Sequence, residues 1–290
     1  MEASTATYRR DDGWAVTKDG LRLYWQRWRP DAPRAVLLLV HGLGEHSGRY
    51  AHVASWFAER GYACWALDCR GHGRSDGSRV HVDRFDEFLD DVAILRALAR
   101  AQYPALPVCL VGHSQGGLVT LRSVLGEPAG LAGAIVSSPL LGIHPASQPS
   151  ALLANAAHVL SRVAPALRLK DKLDPNNLSR DPSVALAYEA DPLVSHRVSS
   201  RSFVTLLGAL ADTHVRAPSL SLPTLVMAAG ADRVVDSAAT ARFVEHAPRS
   251  LVTHVVWDGL YHEIFNEPEK GQVFRRMESW LEERLLAGPA

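Results

Sequence analysis

Short runs of continuous β-type residues recur along the chain with helical patterns between them. Ala35–Val40 (AVLLLV), Cys64–Leu67, Val108–Val111, Leu131–Val136 and Thr224–Ala229 carry almost no polar residue on either side. A strand that is apolar on both faces has to be covered on both faces, the condition of a parallel sheet flanked by helices. The intervening segments meet that need. Phe85–Gln102 sets Phe88, Val92, Leu95 and Leu98 on one helical face, and Tyr50–Arg60 has helical spacing that ends at Gly61, a helix-stop signal. Gly117–Leu125, Ala238–His246 and Gln272–Leu286 also read as helices, Leu251–Trp257 as a strand, and Leu21–Trp28 as an alternating strand exposed on one face. The rhythm predicts an α/β fold with a mostly parallel sheet and helices on both faces.

Between Pro139 and Leu222 the rhythm stops. That stretch holds several prolines, many serines and two patches of helical periodicity, and no buried strand is apparent. It reads as an insertion over the sheet. The expected division is a core of residues 1–138 and 223–290 interrupted by a helical cap at 139–222.

Formal net charge is +0, so no bulk field favours nucleic acid or an anionic surface. Nothing resembles a signal peptide or a bilayer-spanning run. Three cysteines without CxxC spacing argue against a disulfide framework or a zinc site and suggest a reducing, cytoplasmic setting. The sequence implies no metal, and it carries no signal of oligomeric state.

The chemistry concentrates at VGHSQGG, Val111–Gly117. Ser114 follows a buried strand and precedes a helix, with glycines two residues away on either side. This is the G-x-S-x-G context in which a sharp turn projects a serine hydroxyl above the sheet end. The helix beginning beneath it offers amide donors and a positive dipole end. A serine hydroxyl needs a base, and in this architecture the acid and then the histidine follow it along the chain. His246 ends a helical pattern and His254 lies inside a strand pattern; only His262, in DGLYHEIF, occupies a loop just past a strand end. For the acid, Asp232 directly follows Thr224–Ala229. Asp236 is the competitor and instead suits the cap of the next helix, while Asp258 lies too near His262 in sequence. Oxyanion donors are expected from the backbone N–H of Gln115 and from Leu43 in the loop HGLGEH that follows AVLLLV.

The stretches HGLGEHSGRY (41–50), DCRGHGRSDG (68–77), GHSQGG (112–117) and YHEIFNE (261–267), in order and spanning nearly the whole chain, resemble the monoacylglycerol lipase and lysophospholipase branch of the α/β-hydrolases. The resemblance implies eight mostly parallel strands, a cap after the sixth, a catalytic triad on Ser114, Asp232 and His262, and no cofactor. It also implies that Glu45 and Arg49 lie near the alcohol end of the substrate. The expected activity is hydrolysis of monoacylglycerols or similar single-chain esters. The alternatives are a lysophospholipase, a short-chain carboxylesterase, or a weakly catalytic small-molecule receptor on the same fold. Leu152, Leu206 and Leu207, in the two apolar helical patterns of the insertion, are the candidate acyl-chain contacts, and the same patterns suit transient contact with a membrane surface.

Overall fold

The computed structural model describes residues 8–287 apart from 149 and 172. Its strands are β1 (Tyr8–Val16), β2 (Arg22–Pro30), β3 (Ala35–Val40), β4 (Tyr62–Leu67), β5 (Val108–His113), β6 (Gly133–Ser137), β7 (Arg168–Lys170), β8 (Arg197–Ser199), β9 (Thr224–Ala229) and β10 (Val252–Trp257). Its helices are α1 (Ala51–Ala58), α2 (Asp86–Gln102), α3 (Gln115–Gly126), α4 (Ala151–Val163), α5 (Pro182–Ala190), α6 (Ser200–Arg216), α7 (Ser237–His246) and α8 (Lys270–Leu281).

Eight strands form one sheet in the order β1-β2-β4-β3-β5-β6-β9-β10, with β7 and β8 paired apart as a short antiparallel ribbon. The pairings β1–β2 and β2–β4 are antiparallel and the remaining five in the large sheet are parallel. Side-chain alternation explains the continuous apolar runs: Val36, Leu38 and Val40 of β3 join one core layer, Leu37 and Leu39 the layer on the opposite face. The first layer includes Val92 and Leu95 of α2 and Leu118 and Leu121 of α3; the second includes Val53 and Phe57 of α1 and Val273 and Trp280 of α8.

The chain leaves β3 toward β4 and returns to β5 on the other side, so β3 and β5 are neighbours whose following loops diverge. The carboxyl ends of strands at such a reversal leave a crevice in open α/β sheets. The loop after β3 carries Leu43 and the loop after β5 carries Ser114. Between β6 and β9 the chain builds α4, the β7–β8 ribbon, α5 and α6, and α4 packs on α6.

Candidate active site

At the end of β5, Ser114 adopts φ 53° and ψ −118°, a backbone conformation that L residues rarely occupy. Its surroundings over-determine it. Ser114 N–H donates to Ser137 O at 3.0 Å, and Ser114 O accepts from Leu140 N–H at 2.9 Å and Leu118 N–H at 3.1 Å. The flanking glycines are a steric requirement. A methyl at Gly116 would run into the carbonyl oxygens of Val40 and His41, and one at Gly112 into Gly116 O and the Thr120 hydroxyl. The turn is therefore pressed flat against β3, and the serine side chain has only the cavity above to enter.

His262 and Asp232 arrive from two turns at the far end of the sheet. His262 Nδ1 donates to Asp232 Oδ2 at 2.9 Å, with both side chains almost fully buried. Asp232 Oδ1 accepts from the N–H groups of Val234 (2.8 Å) and Val235 (2.9 Å), so both carboxylate oxygens are committed. Ser138 Oγ donates to His262 O at 2.8 Å and fixes the histidine turn from the serine side. Burial disfavours an imidazolium at His262, but the Asp232 charge and hydrogen bond outweigh it and raise its pKa above the usual histidine value. Burial works against the Asp232 charge too, yet His262 and the two amides hold its carboxyl below the ordinary aspartate value. His113, whose ring centroid lies 4.7 Å from that of His262, is kept neutral: burial and then the His262 charge push it down to about 3.

Ser114, His262, Gly42 and Leu43 line one cavity of about 300 Å³. No hydrogen bond joins Ser114 Oγ to His262 Nε2 among the described residues; contacts of this kind commonly tighten only when substrate is bound. The N–H groups of Leu43 and Gln115 donate to no other protein group among the described residues. His41 shapes the first of these turns: its Nδ1 donates to Gly42 O at 2.8 Å and its Nε2 accepts from Cys69 N–H at 3.0 Å.

Asp236 is elsewhere engaged. Its Oδ1 caps α7 through Ala238 N–H at 3.0 Å, and Oδ2 pairs with Arg242 at 3.1 Å. Glu45 lines the cavity, but its Oε1 accepts from Gly42 N–H (2.6 Å) and Tyr50 OH (2.7 Å) and its Oε2 from Arg49 Nε (2.8 Å). Arg49 sits at the polar end between Glu45 and Glu263 without lining the cavity itself, over the Tyr188 ring at 4.8 Å, with Nη2 2.7 Å from both oxygens of Glu263. Glu263, which the sequence pattern did not single out, lines the cavity beside His262.

The roof differs from expectation at two residues. Leu206 lines the cavity, but Leu207 faces a separate groove with Leu210 and His214. Leu152 is 81% exposed; α4 turns Leu153, Ala157 and Leu160 to the cavity instead, opposite Phe203 of α6. The cavity thus has an apolar arm under α4 and α6 and a polar end at Glu45, Tyr188 and Glu263.

The sequence signature of the family described as Serine aminopeptidase, S33 matches residues 31–269. A monoacylglycerol lipase of Mycolicibacterium smegmatis is 37% identical over 268 residues, 92% of this chain and 95% of that one. The phospholipase YtpA of Bacillus subtilis is 33% identical over 260 residues, 89% and 99% of the two chains. The crystal structure of a Paleococcus ferrophilus monoacylglycerol lipase superposes with a TM-score of 0.79 at 30% identity, covering 96% of this chain and 99% of that one. The strand order, the serine elbow and these matches agree: the chain belongs to the serine aminopeptidase S33 family, within the monoacylglycerol lipase and lysophospholipase branch of the α/β-hydrolases, and is a serine hydrolase.

Proposed function

We propose that the protein hydrolyses monoacylglycerols or similar single-chain acyl esters, with Ser114 as nucleophile, His262 as general base and Asp232 as its orienting acid. Ser114 Oγ attacks the ester carbonyl carbon while His262 Nε2 takes its proton. The charge that develops on the carbonyl oxygen is received by the N–H groups of Leu43 and Gln115 at the start of α3. His262 then gives its proton to the departing alcohol. Water repeats the sequence on the acyl-enzyme and releases the carboxylic acid. No cofactor takes part. Asp232 holds the Nδ1–H tautomer, leaving Nε2 free to accept.

The observation that carries this reading is convergence on one cavity: the strained Ser114, the Asp232-bonded His262 and the Leu43 turn share it with an apolar arm and a polar end. Apolar lining with a few fixed polar groups suits one acyl chain ending in a small hydroxylated alcohol. The named activity of the Mycolicibacterium and Paleococcus relatives supports the same substrate class.

Residues 139–222 act in this reading as the cap that sets acyl-chain choice. Leu152, Val159 and Val163 of α4 are 81%, 58% and 73% exposed and form an apolar row suited to transient contact with a lipid surface. No helix among the described residues is long and apolar enough to cross a membrane. The three cysteines are free and buried, which supports a reducing, cytoplasmic setting.

The test is a hydrolysis panel over mono-, di- and triacylglycerols and lysophospholipids, with fluorophosphonate labelling of the parent and of Ser114→Ala. Monoacylglycerols are expected to give the highest kcat/KM, and the variant to lose label and roughly 10³-fold or more in kcat. Labelling at another residue defeats the nucleophile assignment. Faster turnover of lysophospholipids defeats the substrate assignment.

A further inference from the structure

Two carboxylates and one guanidinium are buried side by side at the polar end of the cavity. Glu263 is 4% exposed and receives Arg49 Nη2 on both oxygens at 2.7 Å, while its Oε2 also accepts from Asn266 Nδ2 at 2.7 Å. Its backbone N–H donates to Leu178 O at 2.7 Å. Arg49 reaches the other way to Glu45, which holds Gly42 N–H, the residue before Leu43. One guanidinium therefore links the turn carrying His262 to the turn carrying the proposed Leu43 donor, across 214 positions of sequence.

We infer that Glu263 is a positioning residue for the base proposed above: through Arg49 it locks the two turns together, and its carboxylate charge stabilises the His262 imidazolium formed during acyl transfer. The inference rests on the proposed triad and adds a residue to it.

The charge count supports it. Glu45, Arg49 and Glu263, all ionised, sum to a net charge of −1 beside His262. Burial opposes the Glu45 charge, but Arg49, then His113 and Tyr50, hold its carboxyl at about 2, so Glu45 stays ionised. Burial raises Glu263 above the ordinary glutamate value against the pull of Arg49. Of the two carboxylates, Glu263 is the one that adjoins the histidine in the chain. The other groups around His262 are Asp232 and Arg233 from the turn after β9, His113 at the end of β5, Glu45 and Arg49 after β3, and Tyr188 from α5. Only Asp232 among them hydrogen-bonds the imidazole. Asp232 supplies orientation and the larger charge effect, and Glu263 adds to the same field from the histidine's own turn.

The test is the pH profile of kcat/KM on a soluble short monoester for the parent, Glu263→Gln and Glu263→Asp. Gln keeps an acceptor for Arg49 and removes the charge. Its acid limb is expected to move down by about 0.5–1 pH unit, with a plateau roughly three- to tenfold lower. Glu263→Asp is expected to return the limb to the parent position. Asn266→Lys sets a cation against the same carboxylate and is expected to move the limb in the same direction, which keeps the test open if the Gln variant folds poorly. Limbs that stay in place, whether activity is unchanged or falls equally at every pH, overturn the inference and leave an ordinary structural ion pair. A parent that takes no fluorophosphonate on Ser114 or shows no acid limb instead defeats the triad, so the two failures are distinct.

Discussion

Asp232→Asn separates geometry from charge at the proposed acid, because the structure dictates which way the new amide must face. Asp232 Oδ1 accepts two backbone N–H groups, from Val234 and Val235, and Oδ2 accepts His262 Nδ1–H. An asparagine that keeps its oxygen on the two amides must turn its NH₂ toward His262. Nδ1 then has to be the acceptor, and the proton moves to Nε2, where it can no longer receive the Ser114 proton. The flipped amide would restore the working tautomer but set NH₂ against two buried N–H donors. Each unsatisfied donor costs about 1–3 kcal/mol, so the flip costs about 2–6 kcal/mol. At tenfold per 1.4 kcal/mol, the working arrangement is populated from roughly one part in thirty to one in ten thousand or less. With the lost carboxylate charge added, kcat/KM is expected to fall on the order of 10³- to 10⁴-fold, as a triad amide does elsewhere. The assay is kcat/KM on a soluble short monoester at pH 8, with thermal unfolding measured alongside. Asp236→Asn is the control. Asn caps a helix about as well as Asp, so that variant should remain within a few-fold of the parent. A loss of less than tenfold at Asp232, or a larger loss at Asp236, refutes the assignment.

Two further outcomes follow from the same geometry. Because Asp232 raises His262 above the usual histidine value and the base works only when neutral, the acid limb of kcat/KM should lie above about pH 6.5, with activity lost as pH falls through it; a limb below pH 6 contradicts this. Leu206→Trp should obstruct the apolar arm and depress long-chain esters selectively, by about 0.8 kcal/mol for each methylene no longer buried, whereas Leu207→Trp should leave the chain-length profile intact. Equal effects of the two in a chain-length series would show that neither marks the acyl path.

The central strands were legible because double-sided burial leaves a strand no room for polar residues. β1 was not. YRRDDGWAV lies at the sheet edge, is half-exposed along its length and looks like a polar terminus; its identity comes from pairing with β2. The serine elbow announces itself because only glycine fits where a Cβ would meet carbonyl oxygens. The inward face of α4 does not announce itself. Leu152, Leu153, Ala156, Ala157, Val159 and Leu160 surround the helix with apolar groups, and only packing against α6 selects Leu153, Ala157 and Leu160. Leu206 and Leu207 differ by one residue, about 100° of helix rotation, which is the difference between two cavities. Glu263 is not legible in the sequence because a charged loop residue ordinarily reads as solvated, and its guanidinium partner Arg49 lies 214 positions away along the chain.

The grip of the roof on the loop after β3 is lopsided. Ser195 N–H donates to Gly44 O at 2.7 Å, His46 Nε2 donates to Asp191 at 2.8 Å, and Tyr188 lies against Arg49. All three fastenings come from residues 188–195, and all land within six residues, 44–49. The α4 side, by contrast, reaches α6 and presents its outer row to solvent. The backbone that presents Leu43 is thus fastened from the 188–195 side, so a substitution that loosens Asp191 or Ser195 bears on the turn after β3, whereas the exposed outer row of α4 makes none of these three fastenings.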